Sequence, residues 1–224
     1  ISLWARSPQG RGRHPAPELL GTARSLWFAG EIRKAQEIMQ REFMSTDLDA
    51  SHQTAGDLAI GMEIEGAVSD YLRTLDPRDG SAVTRFRTAA GTVERRMAID
   101  SDAMHLTVSQ SGVPIPVTIE LGRTELFHGS AIILPRSTST IDLLIRGQAR
   151  NGDYIGVRYL VMARVSVEEG TLEPVTNAST LADVGVDAER SVALRATGAP
   201  TVSVTITAGT DFDGGDPNAA AEAI

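Results

Sequence analysis

Cysteine is absent from all 224 residues, and aromatic residues make up only 4% of them. Without cysteine the chain has no disulfide framework, no zinc site built from thiolates and no cysteine nucleophile. The scarcity of aromatic residues also argues against a broad stacking platform of the kind that sugar-binding modules display. The two tryptophans, Trp4 and Trp27, therefore need separate interpretation. Trp27 lies on an apolar helical stripe, so we expect it in the core.

Lysine is almost missing as well, since Lys34 is the only lysine among 21 basic residues. We interpret the arginine bias as a habit of a GC-rich, bacterial genome. The net charge of −8 argues against a nucleic-acid partner, because phosphate neutralisation requires clustered cations. The one basic cluster, Arg6, Arg11 and Arg13, lies in a Gly/Pro-rich segment that is typical of a solvated loop. No apolar run is long enough to cross a bilayer, so we expect a soluble protein, either cytoplasmic or exported.

Two helices are predicted near the start of the chain. The first covers residues 17–28, with Pro17 in its first turn and Gly30 placed to end it. Its apolar residues recur on one side: Leu19, Leu20, Ala23, Leu26 and Trp27. The second covers residues 31–44 with the same helical spacing. We expect the two to form a helical hairpin.

From Asp57 onward the hydrophobic period changes to two, which indicates strands. We predict strands over residues 57–65, 70–76, 82–89, 92–99, 103–110, 114–121, 131–134, 139–147, 153–168, 190–197 and 200–208. Turn residues separate them, and Asn151-Gly152 gives the strongest hairpin signal. Many short strands with helices only at the ends predict a mainly β protein, a large antiparallel sandwich. Pro217, with Asp216 as its N-cap, predicts a further short helix.

The sequence offers few groups for chemistry. Its four histidines, His14, His52, His105 and His128, are scattered, and no pair has the helical spacing of metal ligands. Asp211, Asp213 and Asp216 resemble a calcium loop weakly, but they depart from the EF-hand order, so an interdomain turn is favoured. Carboxylates are abundant, yet spacing alone singles out no catalytic pair. We therefore predict no catalytic residue, no metal and no cofactor.

Six segments nevertheless form one recognisable series: SLWARSP (2–8), PELLGTARSLWFAGEIRKAQEIMQREFM (17–44), HQTAGDLAI (52–60), YLRTLDPRDGSAVTRFR (71–87), GTVERRMAIDSDAMHLTV (91–108) and VTITAGTDFDGGDP (204–217). In this order they resemble the N-terminal region of glycoside hydrolase family 95, the α-L-fucosidases and their relatives. The series departs from the family at His52, where the pattern has an aromatic residue. Residues 109–150 match only in strand character.

The resemblance implies a large β-sandwich, supersandwich-like, in front of an (α/α)6 catalytic barrel that inverts the anomeric centre. On that plan residues 1–210 form the sandwich, the hairpin included, and residues 211–224 lead as a linker towards a barrel that this sequence does not contain. The family's catalytic residues belong to that barrel, so none is carried over here. The expected partners are the barrel and the glycan substrate. The hairpin and the strand over 52–60 are the candidate contact surface, and Trp4, His52 and Gln53 are the candidate rim residues.

Two other interpretations stay open. One is a free-standing carbohydrate-binding or adhesion sandwich, which would need an exposed aromatic or polar groove. The other is the equivalent domain of a different glycosidase or phosphorylase with the same two-domain plan. In that case the fold would be unchanged and only the parent's substrate would differ.

Overall fold

A computed structural model of the chain describes residues 2–4, 17–43, 52–101, 103–151, 154–176, 180–212 and 214–222. The basic cluster Arg6, Arg11 and Arg13, together with His14, lies outside these ranges. None of the described helices is long and apolar enough to span a bilayer.

The helical hairpin forms where the periodicity predicts it. Helix α1 covers Pro17–Phe28 and helix α2 covers Ile32–Ile38. Gly30 takes φ of +80° between them, a conformation that glycine adopts without steric cost and that ends α1.

The end of the second helix differs from the prediction. A π-helical turn, Met39–Phe43, replaces the last α-helical turns, and Met44 lies outside the described residues. Ile38 and Phe43, on either side of this change, are both half-buried.

The described residues contain fourteen strands and a last short helix. In chain order the strands are β1 (Ser2–Trp4), β2 (His52–Thr54), β3 (Asp57–Met62), β4 (Ser69–Asp76), β5 (Ser81–Thr88), β6 (Gly91–Ile99), β7 (Met104–Gly112), β8 (Val117–Gly122), β9 (Ser130–Pro135), β10 (Thr140–Asn151), β11 (Tyr154–Val167), β12 (Thr171–Val175), β13 (Ser191–Thr197) and β14 (Thr201–Thr210). Helix α3 covers Pro217–Glu222. Asp216 caps it as predicted, since its carboxylate accepts a hydrogen bond from the Asn218 amide at 2.9 Å.

Two antiparallel sheets build the predicted sandwich. The large sheet has eight strands in the order β4-β5-β6-β7-β14-β11-β10-β9, and the small sheet has four in the order β12-β13-β8-β3. Strands β10 and β11 form the hairpin that Asn151-Gly152 predicts, with Asn151 opposite Tyr154. The turn residues 152–153 lie outside the described residues. The mainly β, sandwich fold class is thus confirmed.

Several strand predictions need correction. Strand β1 was not predicted, and the strand expected over residues 52–60 divides into β2 and β3. The third strand stops at Met62, not at residue 65. Strand β12, Thr171–Val175, was not predicted, because its charged residue and its Pro174 break the alternation. Its place explains the sequence: β12 is an edge strand that pairs only with β13, and an edge tolerates proline.

The core lies between the two sheets. Alternate residues of each central strand point into it, and several have no accessible surface, among them Leu143, Ile145, Ile119, Leu194 and Val202. A second, smaller cluster of Leu144, Leu160 and Met162 is buried on the other face of the large sheet. Strands β10 and β11, near the β9 end of the large sheet, therefore have both faces covered.

One end of the large sheet extends past the small sheet. Leu58 of β3 shares a cleft with Met97 of β6 and Leu106 of β7, so β3 stands above β6 and β7. Since β3 is the edge of the small sheet, no described strand lies opposite β4 and β5, although Phe86 of β5 still reaches the core. We call β4, β5 and β6 the wing. All eight residues of β4 are exposed.

Candidate functional site

The three predicted rim residues come together in a two-stranded ribbon. Strand β1 pairs with β2 so that Trp4 lies opposite His52 and Leu3 opposite Gln53. The positions of the Trp4 and His52 side chains lie outside what the structure describes. Pairing thus places these residues, nearly fifty positions apart in the chain, in one ladder.

The amide of Gln53 is committed to internal hydrogen bonds. Its nitrogen donates to the carbonyl of Arg150, and its oxygen accepts from Arg123 Nη2 at 2.8 Å. The Arg123 side chain is buried, and its guanidinium lies 4.7 Å from the centre of the Tyr159 ring. Burial raises the pKa of the Tyr159 hydroxyl, although the charge of Arg123 opposes the shift. The cluster joins the ribbon to β11 and is a structural contact.

Among the described residues, two carboxylates are almost completely buried, and both accept hydrogen bonds from neighbouring groups. Glu120 of β8 accepts hydrogen bonds from the Leu181 amide at 3.1 Å and from the Ser191 hydroxyl at 2.7 Å. Its neighbours Ile119 and Leu121 face the core, so Glu120 lies on the outer side of the small sheet.

Asp142 of β10 lies on the outer side of the large sheet, between Arg136 at 2.6 Å and Arg164 at 2.8 Å. Burial alone would raise the pKa of this carboxyl, but hydrogen bonds from the two arginines outweigh burial and hold the pKa below its ordinary value. Because Glu120 and Asp142 lie on opposite outer faces of the sandwich, they do not form an acid–base pair.

The described carboxylates of the acidic turn before α3 also accept hydrogen bonds from the protein itself. Both carboxylate oxygens of Asp211 accept hydrogen bonds from Arg158, from its amide and from Nε, each at 2.8 Å. These bonds hold the pKa of Arg158 above its usual range. One oxygen of Asp216 accepts from Asn218, and Asp213 lies outside the described residues. Within the described ranges, no group of three or more acidic or histidine side chains is arranged to hold a metal ion.

A small polar hollow of about 220 Å³ adjoins this turn. Its walls include His128, Arg146, Gln148, Arg158 and Asn218. His128 has a positive φ of 46°. Arg158 is neutralised by Asp211, and the Arg146 Nε donates to the Ser130 hydroxyl at 3.0 Å. Asp216 also lines the hollow, so its carboxylate offsets the charge of Arg146 and the hollow presents little net charge to a ligand.

One histidine has a partner that sequence spacing could not reveal. His105 Nε2 lies 2.9 Å from an Asp100 carboxylate oxygen, and its Nδ1 lies 3.4 Å from the Thr205 hydroxyl. The His105 and Asp100 side chains are both about half exposed. On this open face of the sheet, water screens the pair, so the array lacks the enclosed setting of a catalytic triad.

The helical hairpin carries the largest apolar hollow among those described. Leu20, Ala23, Trp27, Ile32, Ala35 and Met39 line a groove of about 530 Å³ between α1 and α2. Only the two alanines among them are buried. Trp27 is 56% exposed, so its predicted place in the core is wrong. The stripe that predicts the helix is correct, but the hairpin is too small to bury it.

The geometry thus provides an unpartnered apolar groove and no assembled catalytic centre among the described residues. The family model described as "Glycosyl hydrolase family 65, N-terminal domain" matches residues 1–215 of the chain. No curated protein matches it significantly.

Proposed function

Since the chain belongs to the N-terminal domain family of glycosyl hydrolase family 65 and is a non-catalytic domain of a glycosidase, we propose that it supports an α-L-fucosidase-type inverting enzyme. In this role the sandwich packs on an (α/α)6 catalytic domain, which carries the acid and the water-activating group. The glycan substrate binds in that catalytic domain. The order of the six sequence segments, over residues 2–217, supports the fucosidase-type parent.

The exposed groove of the hairpin is the observation that carries this proposal. An apolar groove of this size on a small surface element is typical of an interface. Three of the residues that line the groove, Trp27, Ile32 and Leu20, are all more than 40% exposed. Tryptophan is also among the residue types most enriched at interface hot spots. We propose that the catalytic domain covers this groove.

A pair of neighbouring residues allows a controlled test. Trp27 lines the groove, whereas Phe28 is 83% exposed and is not among the groove residues. In a polypeptide that contains the catalytic domain, Trp27→Asp should lower the melting temperature and glycosidase activity, and Phe28→Asp should change neither appreciably. In the 224-residue chain alone, the two variants should unfold at similar temperatures. Equal effects of both variants in the longer polypeptide would contradict the interface.

The absence of catalysis in this chain is tested directly. Purified chain should hydrolyse neither aryl α-L-fucosides nor other aryl glycosides. Saturable hydrolysis that one carboxylate substitution abolishes would overturn this part of the proposal. The polypeptide with its catalytic domain should instead release β-L-fucose first from an α-L-fucoside, which proton NMR detects before mutarotation.

The family match favours a second candidate for the parent. The matching model is named for family 65 and not for family 95, so the chain is also suited to another glycosidase or phosphorylase with the same two-domain plan. The same assay separates the candidates. Cleavage of a different glycoside, or cleavage that requires inorganic phosphate, would support this second parent and leave the interface role unchanged.

A further inference from the structure

The arginines on the two faces of the wing differ in whether a carboxylate lies beside them. On the outer face each arginine lies within 4.0 Å of a carboxylate, in the pairs Arg85–Glu94, Arg87–Asp70 and Arg96–Asp79. The inner face, which points to the same side as the core, carries Arg73 and Arg95. Among the described residues, no carboxylate lies within 4.0 Å of either guanidinium. The inner face is thus locally basic in a chain whose net charge is −8.

The strand register fixes this orientation. Arg73 lies opposite Thr84, Thr84 opposite Arg95, and Arg95 opposite Val108. Residues opposite one another in a sheet point to the same face, and Val108 is fully buried in the core. Both arginines therefore stand on the inner face, two strands apart, which places their Cα atoms about 10 Å from each other.

Arg95 is partly desolvated, and the aromatic rings beside it are its only compensation among the described residues. Its guanidinium carbon lies 5.8 Å from the centre of the Phe86 ring, and Tyr71 stacks on the same ring at 6.5 Å. The Arg95 Nε is buried and has no hydrogen-bond partner, and burial lowers the pKa of this arginine. A buried donor left unpaired is costly, so an added acceptor would be favourable.

Apolar surface surrounds the two arginines. Tyr71 and Leu75 are 60% and 73% exposed, and Ile99 on the same face is also exposed. Next to them, the cleft under β3 has a volume of about 210 Å³ and is lined by Leu58, Met97 and Leu106 with other apolar residues. A ligand on this face would therefore meet cations and apolar surface together.

We propose that the inner face of the wing binds a protein segment from outside this chain that carries two acidic side chains beside an apolar one. The carboxylates pair with Arg73 and Arg95, and the apolar side chain enters the cleft under β3. Each arginine stands on its own strand, so two carboxylates on one segment can each pair with one guanidinium. Arg95 gains the charge partner that the fold does not supply.

Selection from a random peptide library tests this site. The 224-residue chain, immobilised, should enrich twelve-residue peptides with two acidic residues and a nearby large apolar residue. The best peptide, measured by fluorescence anisotropy, should bind the Arg73→Gln, Arg95→Gln double variant about tenfold more weakly or worse. The matched double variant Arg85→Gln, Arg96→Gln on the outer face should bind it as the unaltered chain does.

Several results would overturn the proposal. The library could enrich peptides without acidic residues, or it could enrich no peptide at all. The inner-face and outer-face double variants could also weaken peptide binding equally. Binding of phosphatidylserine vesicles or heparin, with no acidic peptide bound, would also overturn it. Should Arg95→Gln unfold the chain, Arg73→Gln alone should still weaken the peptide, because Arg73 lies on a fully exposed strand.

Discussion

The two ends of the eight-stranded sheet differ in what lies over them. At β10 and β11 both faces are covered, and residues such as Leu143 and Val161 are buried. At β4, five strands away from β11, all eight residues are exposed although the strand pairs normally with β5. Backbone pairing alone therefore does not bury a strand. The covered end supplies stability, and the open end, like the hairpin, leaves exposed the surface that we propose for a partner.

The strongest test of this comparison removes the same side chain at both ends. Leu143→Ala should lower the free energy of unfolding by about 3 kcal/mol, because a fully buried leucine leaves a cavity. Leu75→Ala, on the wing, should lower it by no more than about 0.5 kcal/mol, because Leu75 is already largely in water. Urea denaturation measures both. Similar losses at the two positions would show that the wing is covered in solution.

The buried Asp142 provides a second test at the covered end. Asp142→Asn should lower the free energy of unfolding by about 2–3 kcal/mol, because it leaves Arg136 and Arg164 without their carboxylate. Asp79→Asn, at an exposed pair on the wing, should cost about 0.5 kcal/mol or less.

The stability that Asp142 contributes should also depend on pH. Because the pKa of Asp142 in the folded chain lies below its ordinary value of 3.8, the contribution is complete at pH well above 3.8. It is lost as the pH falls through the folded pKa. Urea denaturation between pH 7 and pH 3 should show the difference between the chain and Asp142→Asn shrinking with falling pH. A constant difference would contradict the assignment.

A backbone contact on the wing gives a smaller expected effect. Gly91 and Gly112 lie opposite each other with positive φ of 142° and 95°. A Cβ on Gly91 would stand 1.7 Å from the Ser111 carbonyl oxygen. Gly91→Ala should therefore cost about 1–2 kcal/mol in thermal unfolding. Gly215→Ala, where a Cβ meets nothing within 4 Å, is the control and should be neutral.

The smallest effect is expected at the hairpin. Trp27→Ser in the 224-residue chain should change the free energy of unfolding by about 0.5 kcal/mol or less, because the side chain is more than half exposed. Denaturation followed by circular dichroism measures it. A loss above 2 kcal/mol would mean that the groove is covered within this chain. That result would contradict the proposed interface with a catalytic domain.

Local pattern was enough for much of the fold. The bounds of α1, the Asp216 cap and the β10–β11 hairpin were predicted, because each depends on neighbouring residues. The prediction ended β10 at residue 147, whereas the strand continues to Asn151. Strand β12 was missed because its proline is acceptable only at an edge, and edges are set by distant pairing. The burial of Trp27 was mispredicted for the same reason: a stripe shows which side of a helix is apolar and not whether anything covers it.

The candidate sites were less predictable from sequence. Gln53 was singled out by resemblance, but its bonds to Arg123 and Arg150 depend on residues 70 and 97 positions away. No signal in the sequence distinguishes Arg95, which lacks a carboxylate, from Arg96, which has Asp79. The difference follows only from the strand register, which sends adjacent side chains to opposite faces.

The sequence by itself determined the elements of this protein: the alternation of its strands, the stripe of its hairpin and the turns between them, all of which depend on local sterics and hydrophobic period. Only the tertiary structure decided which of these apolar faces would be covered. Burial depends on how many strands each sheet holds and where the sheets overlap, and the four-stranded sheet does not reach the end of the eight-stranded one. For this reason the exposed wing and the exposed hairpin groove can be recognised only in the folded chain.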